Sequence, residues 1–276
     1  MTTGRRVEDH YSSSGIARRI LDALAAAGGP DTPVTPDALA PLDQFHGRGI
    51  QATRELVALL QPQADEEIAD VGCGIGGPAR WIAWTFGCRV TGVDLTPAFC
   101  EAARELNRAT GMEERVRILQ GNALALPLPD AAFDRAYSQN VVMNIADKRG
   151  FYAELFRVLK PGGVAALSNL LAGPAGPPHF PVPWAETPAT SFLSTADETR
   201  ADILAAGFEI LSFRDTAAET VPKQSAIRRK IEAEGMPPLS LRVLMGDRMQ
   251  DLTVNSIRSL EEGRAVPVEI LVRRPA

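Results

Sequence analysis

The string Asp70-Val71-Gly72-Cys73-Gly74-Ile75-Gly76-Gly77 carries the most chemistry in this chain. Its glycines permit positive φ and let a ligand approach the backbone with no β-carbon in the way. The helix expected after it offers unsatisfied N–H groups. Asp94 closes the next apolar run, roughly 20 residues beyond the first glycine, where a carboxylate can accept from two ribose hydroxyls. Gly72, Gly74 and Gly77 fit G-x-G-x-x-G, and together these features point to an adenosine-containing cofactor. Asp70 argues against a pyrophosphate at this place, because a carboxylate beside phosphate is repulsive; beside an ammonium it is attractive. Groups that could move a proton are few. Tyr11, His46 and His179 are the candidates for a general base. No carboxylate pair or histidine-rich set has ligand spacing, so no metal is expected. Cys73, Cys88 and Cys100 are an odd number without close ligand spacing and read as reduced intracellular thiols.

The elements that must hold these residues follow from periodicity. Ile16, Ile20, Leu21 and Leu24 recur at helical spacing until Gly28-Gly29-Pro30. Four prolines in residues 30–43 predict an extended connector. Ile50, Leu56, Val57 and Leu60 form the apolar side of a second helix that stops before Pro62. From about residue 66, short apolar strands alternate with longer amphipathic helices. Strands are expected at 68–71, 89–94, 116–119, 133–137, 164–168, 208–213 and 266–272. Thr96 can cap the helix that carries Pro97 in its first turn, and Thr195 with Glu198 makes a capping box. The alternation predicts an α/β fold, a doubly wound and mostly parallel sheet covered by helices on both faces. Prolines and glycines between 172 and 188 predict an irregular loop over the working edge of that sheet. Residues 222–262 look helical.

Composition narrows the class. Hydrophobic residues at 45% and charged residues at 23% fit a globular protein and exclude a disordered or collagen-like chain. The formal charge of −5 gives no field to recruit nucleic acid or an anionic membrane. No apolar run approaches the length of a membrane span, and Met1–Arg6 leads into Glu8-Asp9 rather than a signal core. A cytoplasmic location is expected.

Read with Asp70 and Gly76, the glycine string resembles the D-x-G-x-G-x-G loop of class I S-adenosylmethionine (SAM) methyltransferases. Gly121-Asn122-Ala123 stands where these enzymes usually show G-D-A, and Arg157-Val158-Leu159-Lys160-Pro161-Gly162-Gly163 resembles their R-x-L-K-P-G-G turn. The resemblance covers about residues 45–215. It is nearest to small-molecule methyltransferases of the phosphoethanolamine, sarcosine/dimethylglycine and tocopherol type. Gly49-Ile50-Gln51-Ala52-Thr53 is similar to their G-x-E-A-T helix, and His10-Tyr11-Ser12 to a segment with a substrate-gating tyrosine. Asn144 stands where a Tyr–His latch would have histidine. The N-P-P-Y string of many DNA and protein-glutamine methyltransferases is absent.

The resemblance implies a seven-stranded Rossmann-like sheet with an antiparallel last strand, SAM as cofactor, and methyl transfer to N, O or C of a small-molecule acceptor. It implies cofactor contacts from His46, Asp70, Gly72, Gly74, Gly76, Asp94, Leu95, Asn122, Ala123 and Gln139. Tyr11, Asn144 and His179 are the candidate catalytic or gating residues, with Gln139 and Asn140 facing the methyl-transfer cavity. Residues 1–62 would be a helical cover and 63–276 the core, with 222–262 inserted as a lid. The cover is expected to be mobile until SAM and acceptor are both bound. No nucleic-acid partner or membrane span is expected, and either a monomer or a homodimer is compatible with the chain. The competing readings are a SAM-binding protein without catalysis and an NAD(P)-dependent oxidoreductase, which would lack an obvious Tyr-x-x-x-Lys pair.

Overall fold

A computed structural model describes residues 15–276 apart from 30, 31, 45, 47 and 238. Three helices precede the sheet: α1 (Ile16–Gly28), α2 (Pro36–Asp43) and α3 (Gly49–Leu60). The α/β part then runs β1 (Glu67–Val71), α4 (Gly77–Phe86), β2 (Arg89–Asp94), α5 (Pro97–Ala109), β3 (Val116–Gln120) and β4 (Phe133–Gln139). After a short turn of helix at Val142–Asn144 come α6 (Lys148–Val158), β5 (Leu159–Ala172), α7 (Ala196–Ala205) and β6 (Glu209–Asp215). Three further helices, α8 (Ala217–Glu234), α9 (Arg242–Met245) and α10 (Arg248–Glu261), lead into β7 (Ala265–Arg273).

The seven strands form one sheet in the order β3-β2-β1-β4-β5-β7-β6. The β1–β5 part is parallel, and β7 runs antiparallel between β5 and β6. This is the expected class and topology. Strand order reverses beside β1, and the C-terminal edge there is where open α/β sheets bind ligands.

Each face is covered by its own apolar layer. Leu56, Leu60, Ile82 and Ala103 bring α3, α4 and α5 onto one face. Phe151, Leu155, Val158 and Ile203 bring α6 and α7 onto the other. A third cluster joins α1, α2 and α5 through Ile20, Leu24, Leu42 and Leu106, with Val243 and Leu244 of α9 packed against it. The N-terminal helices and the insertion before β7 therefore meet above the glycine loop. Thr195 and Glu198 form the expected capping box, and residues 173–187 are irregular.

Two elements differ from expectation. Residues 36–43 are helical rather than extended. Pro36 occupies the first turn, where it loses no useful donor, and the Thr35 side chain accepts from Ala38 N at 3.2 Å. Proline number suggested a connector; proline position permits a helix. The helical insertion also begins at Ala217, with Pro222 inside its first helix. Tyr11 and the cover segment around it fall outside the described residues.

Candidate functional site

The loop after β1 is held by its neighbours on β2. Gly72 N and Cys73 N donate to Val93 O at 2.8 and 3.1 Å. Gly74 N donates to Asp94 Oδ2 at 2.8 Å, and Thr96 N donates to Asp94 Oδ1 at 2.9 Å. Asp94 thus fixes the glycine loop and the start of α5 together. Thr96 sits at the N-cap position but its side chain does not cap the helix; the carboxylate of Asp94 meets the backbone there instead. Burial raises the pKa of Asp94, against the lowering effect of these N–H groups. Each carboxylate oxygen keeps a further lone pair for a ligand hydroxyl.

Gly72 has φ +83, and a β-carbon there would stand 2.2 Å from Val141 Cγ2. The bare backbone is what allows β1, β2 and the segment after β4 to converge. Gly76 plays another part. It is the left-handed N-cap of α4, its Cα hydrogens point toward Arg80 and Ala103, and it does not line the cavity. Of the glycines expected to contact the cofactor, Gly76 is the one that the structure places outside the cavity lining.

A cavity of about 430 Å³ opens at this edge. His46, Asp70, Gly72, Gly74, Asp94, Leu95, Asn122, Ala123 and Gln139 all line it, as does Asn144. Asp70 is buried and accepts from Tyr137 Oη at 2.8 Å. Desolvation pushes its pKa up to about 8, opposed by the Tyr137 hydrogen bond and assisted by the charge of Asp94. With no cation against it, Asp70 is therefore mostly protonated at neutral pH. The folded protein holds a proton that the unfolded chain loses above the ordinary value of 3.8. Apo stability from this group accordingly falls as pH rises between 3.8 and about 8. A cation placed against Asp70 favours the ionised form, so its affinity should rise with pH up to about 8. Titration calorimetry of SAM at pH 7 in buffers of different ionisation enthalpy should register release of part of a proton. Affinity independent of pH, with no proton release, would show that Asp70 does not face the cation.

His46 joins a polar cluster that sequence reading did not assemble. The Thr53 hydroxyl donates to Gln44 Oε1 at 2.6 Å and lies 3.3 Å from both His46 Nε2 and Gln139 Oε1. The Gly49–Thr53 string thus places its threonine under two cavity residues. Burial lowers the His46 pKa to about 4, helped by Arg48, so its ring is neutral. His46 Nδ1 and Gln139 Nε2 are buried without a protein partner. Asn140, in the left-handed region at φ 55, turns the chain out of β4, and its N–H donates to Ser168 O at 2.8 Å.

Three of the expected residues have protein partners of their own. His179 is not in the cavity; its Nε2 pairs with Glu262 at 2.7 Å and its N–H donates to Ser259, which draws the ring to the outer side of α10. Asn122 lines the cavity, but its Oδ1 already accepts from Leu124 N at 2.9 Å. That oxygen holds a turn, and only its second lone pair remains for a ligand. Asn144 donates to Trp184 O at 2.6 Å, tying the turn after β4 to the proline-rich loop. It anchors that loop, and the tyrosine of the expected latch, Tyr11, lies outside the described residues.

Sequence reading missed the far wall. Asn169 of β5, Thr216, Thr220 and Gln224 of the β6–α8 region, and Met249 and Thr253 of α10 also line the cavity. A signal for Asn169 existed: Ser168-Asn169 interrupts an apolar run at the C-terminal end of a strand.

Among the described residues no helix is long and apolar enough to cross a membrane. No group of three or more His, Cys, Asp or Glu among them is placed to hold a metal ion.

A family model described as a methyltransferase domain matches residues 69–167. A methyltransferase, GfsG of Streptomyces halstedii, is 29% identical over 231 residues, 81% of this chain and 80% of that protein. Geranyl diphosphate C-methyltransferase from Streptomyces coelicolor, solved with Mg²⁺, geranyl-S-thiolodiphosphate and S-adenosylhomocysteine, superposes with a TM-score of 0.71 at 19% identity, over 99% of this chain and 98% of that one. Phosphoethanolamine N-methyltransferase 2 of Haemonchus contortus, solved with SAM, gives 0.72 at 18% identity, over 100% of this chain and 60% of that one. The [4+2]-cyclase SpnF shares the fold as well, with a TM-score of 0.70 at 22% identity over 100% and 98%. The matched domain, the methyltransferase relatives and the sheet order agree with the residues that surround the glycine loop. Residues 69–167 thus form a methyltransferase domain, and the whole chain has the fold of methyltransferases solved with SAM or S-adenosylhomocysteine.

Proposed function

We propose that the protein transfers a methyl group from SAM to a small-molecule acceptor held between the sheet edge and the helices inserted before β7. One observation carries this reading: a single cavity runs from Gly72, Gly74 and Asp94 to Met249 and Thr253 of α10. Donor and acceptor can therefore share one continuous space. The residues fit SAM. Positive-φ glycines leave room beside the backbone, Asp94 offers acceptors for a ribose diol, and Asp70 offers a carboxylate for an ammonium. When bound, SAM supplies a methyl group already activated on a sulfonium.

The task left to the protein is alignment and exclusion of water. Orientation alone can contribute roughly 7–11 kcal/mol in favourable cases. His46, with its pKa held near 4, is a poor general base at neutral pH, and His179 lies elsewhere. We infer that α8–α10 act as the lid, α1–α3 as the cover, and that Gln139 and His46 orient the donor end through the nitrogens they leave unpaired.

Thermal melting tests the cofactor. SAM or S-adenosylhomocysteine should raise the melting temperature, and NADH or NADPH should not. Stabilisation by NADH alone would overturn the assignment. Incorporation of labelled methyl from SAM into metabolite extracts tests catalysis. The second reading, a SAM-binding protein without methyl transfer, is favoured by one observation: Asp70, the described cavity residue with a pKa near neutrality, is the group that the SAM ammonium would engage. SAM binding without turnover across extracts would select it.

A further inference from the structure

Asn169 sits near the C-terminal end of β5, opposite Val268 of β7, and is 2% exposed. Both polar atoms of its amide, Oδ1 and Nδ2, are buried without a hydrogen-bond partner, and the residue lines the cavity. A buried amide left wholly unpaired is costly to a fold, so a side chain kept there has a partner that arrives from outside. Across the cavity, Thr253 Oγ1 of α10 is also buried without a partner.

The surrounding wall mixes neutral polar side chains, among them Thr216, Thr220, Gln224 and Ser256, with a larger apolar part. Met143, Leu170, Trp184, Met249, Ile257 and Val268 all face the same space. Charges that reach this cavity are committed elsewhere. Asp70 and Asp94 belong to the glycine-loop end. Arg48 is paired with Glu55 and Glu269. Asp147 is exposed and caps α6 through Gly150 N. Among the described residues the far half thus offers no uncommitted charge for a phosphate, a carboxylate or a quaternary amine.

We infer that Asn169 is the acceptor-recognition residue, and that the acceptor is a neutral, largely apolar molecule presenting a hydroxyl group to its amide. A hydroxyl donates once and accepts as well, so one such group can satisfy both orphaned atoms of Asn169. The inference rests on the methyl-transfer reading for the word acceptor alone; the recognition chemistry stands on the cavity.

The test compares wild type with Asn169→Leu, a variant of similar volume, and with Asn169→Ala in case leucine does not fit. The probes are 1-naphthol and its deoxy counterpart naphthalene, with phosphoethanolamine and glycine as charged small molecules. Each is titrated into protein with and without S-adenosylhomocysteine. Wild type should bind 1-naphthol about tenfold more tightly than naphthalene. Both variants should lose that discrimination and keep their affinity for S-adenosylhomocysteine. The apo melting temperature of Asn169→Leu should equal or exceed that of wild type, because two unpaired polar atoms are removed. A merely structural asparagine would give a lower value. Retained discrimination in the variants, no binding of 1-naphthol, or preferential binding of phosphoethanolamine or glycine would overturn the inference. Failure of S-adenosylhomocysteine to bind wild type would instead overturn the cofactor reading, and the naphthol comparison without it would still decide Asn169.

Discussion

Replacing Arg80 with methionine is expected to destabilise the fold by about 3–5 kcal/mol, the usual cost of leaving a buried charge without its partner. Arg80 is fully buried. Its guanidinium donates to Asp43 Oδ2 at 3.0 Å, Ile75 O at 2.7 Å, Asn107 Oδ1 at 3.0 Å and Ala103 O at 3.2 Å. One side chain thus ties the end of α2, the glycine loop, α4 and α5 together. Burial raises the Asp43 pKa and Arg80 is the main influence that lowers it. Without Arg80 the carboxyl moves higher still and takes up a proton. A carboxyl raised above its unfolded value of 3.8 costs stability as pH increases through the folded value. The deficit of the variant should therefore be largest at neutral pH and shrink in mild acid. Denaturant unfolding at pH 5 and pH 7.5 checks both statements. A double variant, Arg80→Met with Asp43→Leu, should recover much of the loss, since replacing both charges removes the orphan. Equal losses at the two pH values, with no recovery in the double variant, would show that Arg80 acts by packing alone.

That network also shows where sequence reading reached and where it stopped. The strands were legible because their apolar runs are short and bounded by glycine, proline or polar residues. The antiparallel last strand was legible through resemblance, and all seven strands occupy the expected stretches of sequence. The glycine loop and Asp94 were legible because backbone geometry demands glycine and a ribose demands an acceptor. The helix at 36–43 was not: its apolar face is Leu39 and Leu42, too few residues to show a period. Its packing is visible only in three dimensions, where Gly77 leaves room for the backbone of Asp43. A β-carbon at Gly77 would lie 2.1 Å from Asp43 O. His179 misled for a related reason. A histidine in a loop near the working edge fits a cavity, but its partner Glu262 lies 83 residues away in sequence. Long-range pairing of this kind leaves no trace in local spacing. The far wall of the cavity was hidden in the same way, since it is assembled from β5, α8 and α10.

Asp94→Ala is expected to weaken SAM binding by about 1.5–3 kcal/mol, roughly ten- to a hundredfold, if its carboxylate accepts from the ribose hydroxyls. The structure adds a second consequence. The same carboxylate accepts from Gly74 N and Thr96 N, so alanine removes the group that joins the glycine loop to the start of α5. The apo protein should then melt at a lower temperature, because backbone donors that lose a buried partner cost about 1–3 kcal/mol each. Affinity and stability are separable with Asp94→Asn. Asparagine keeps one acceptor oxygen and places an NH₂ group against the other backbone N–H, so it should fold better than alanine yet still bind SAM less tightly than wild type. Calorimetry with S-adenosylhomocysteine, run beside thermal melts of all three proteins, gives both quantities. Unchanged affinity in Asp94→Ala would place the ribose elsewhere. A large affinity loss in alanine alone, with asparagine equal to wild type, would mean that Asp94 shapes the loop and does not itself hold the cofactor. A graded loss across the two variants, at melting temperatures that do not follow the same grading, is the result that direct contact requires.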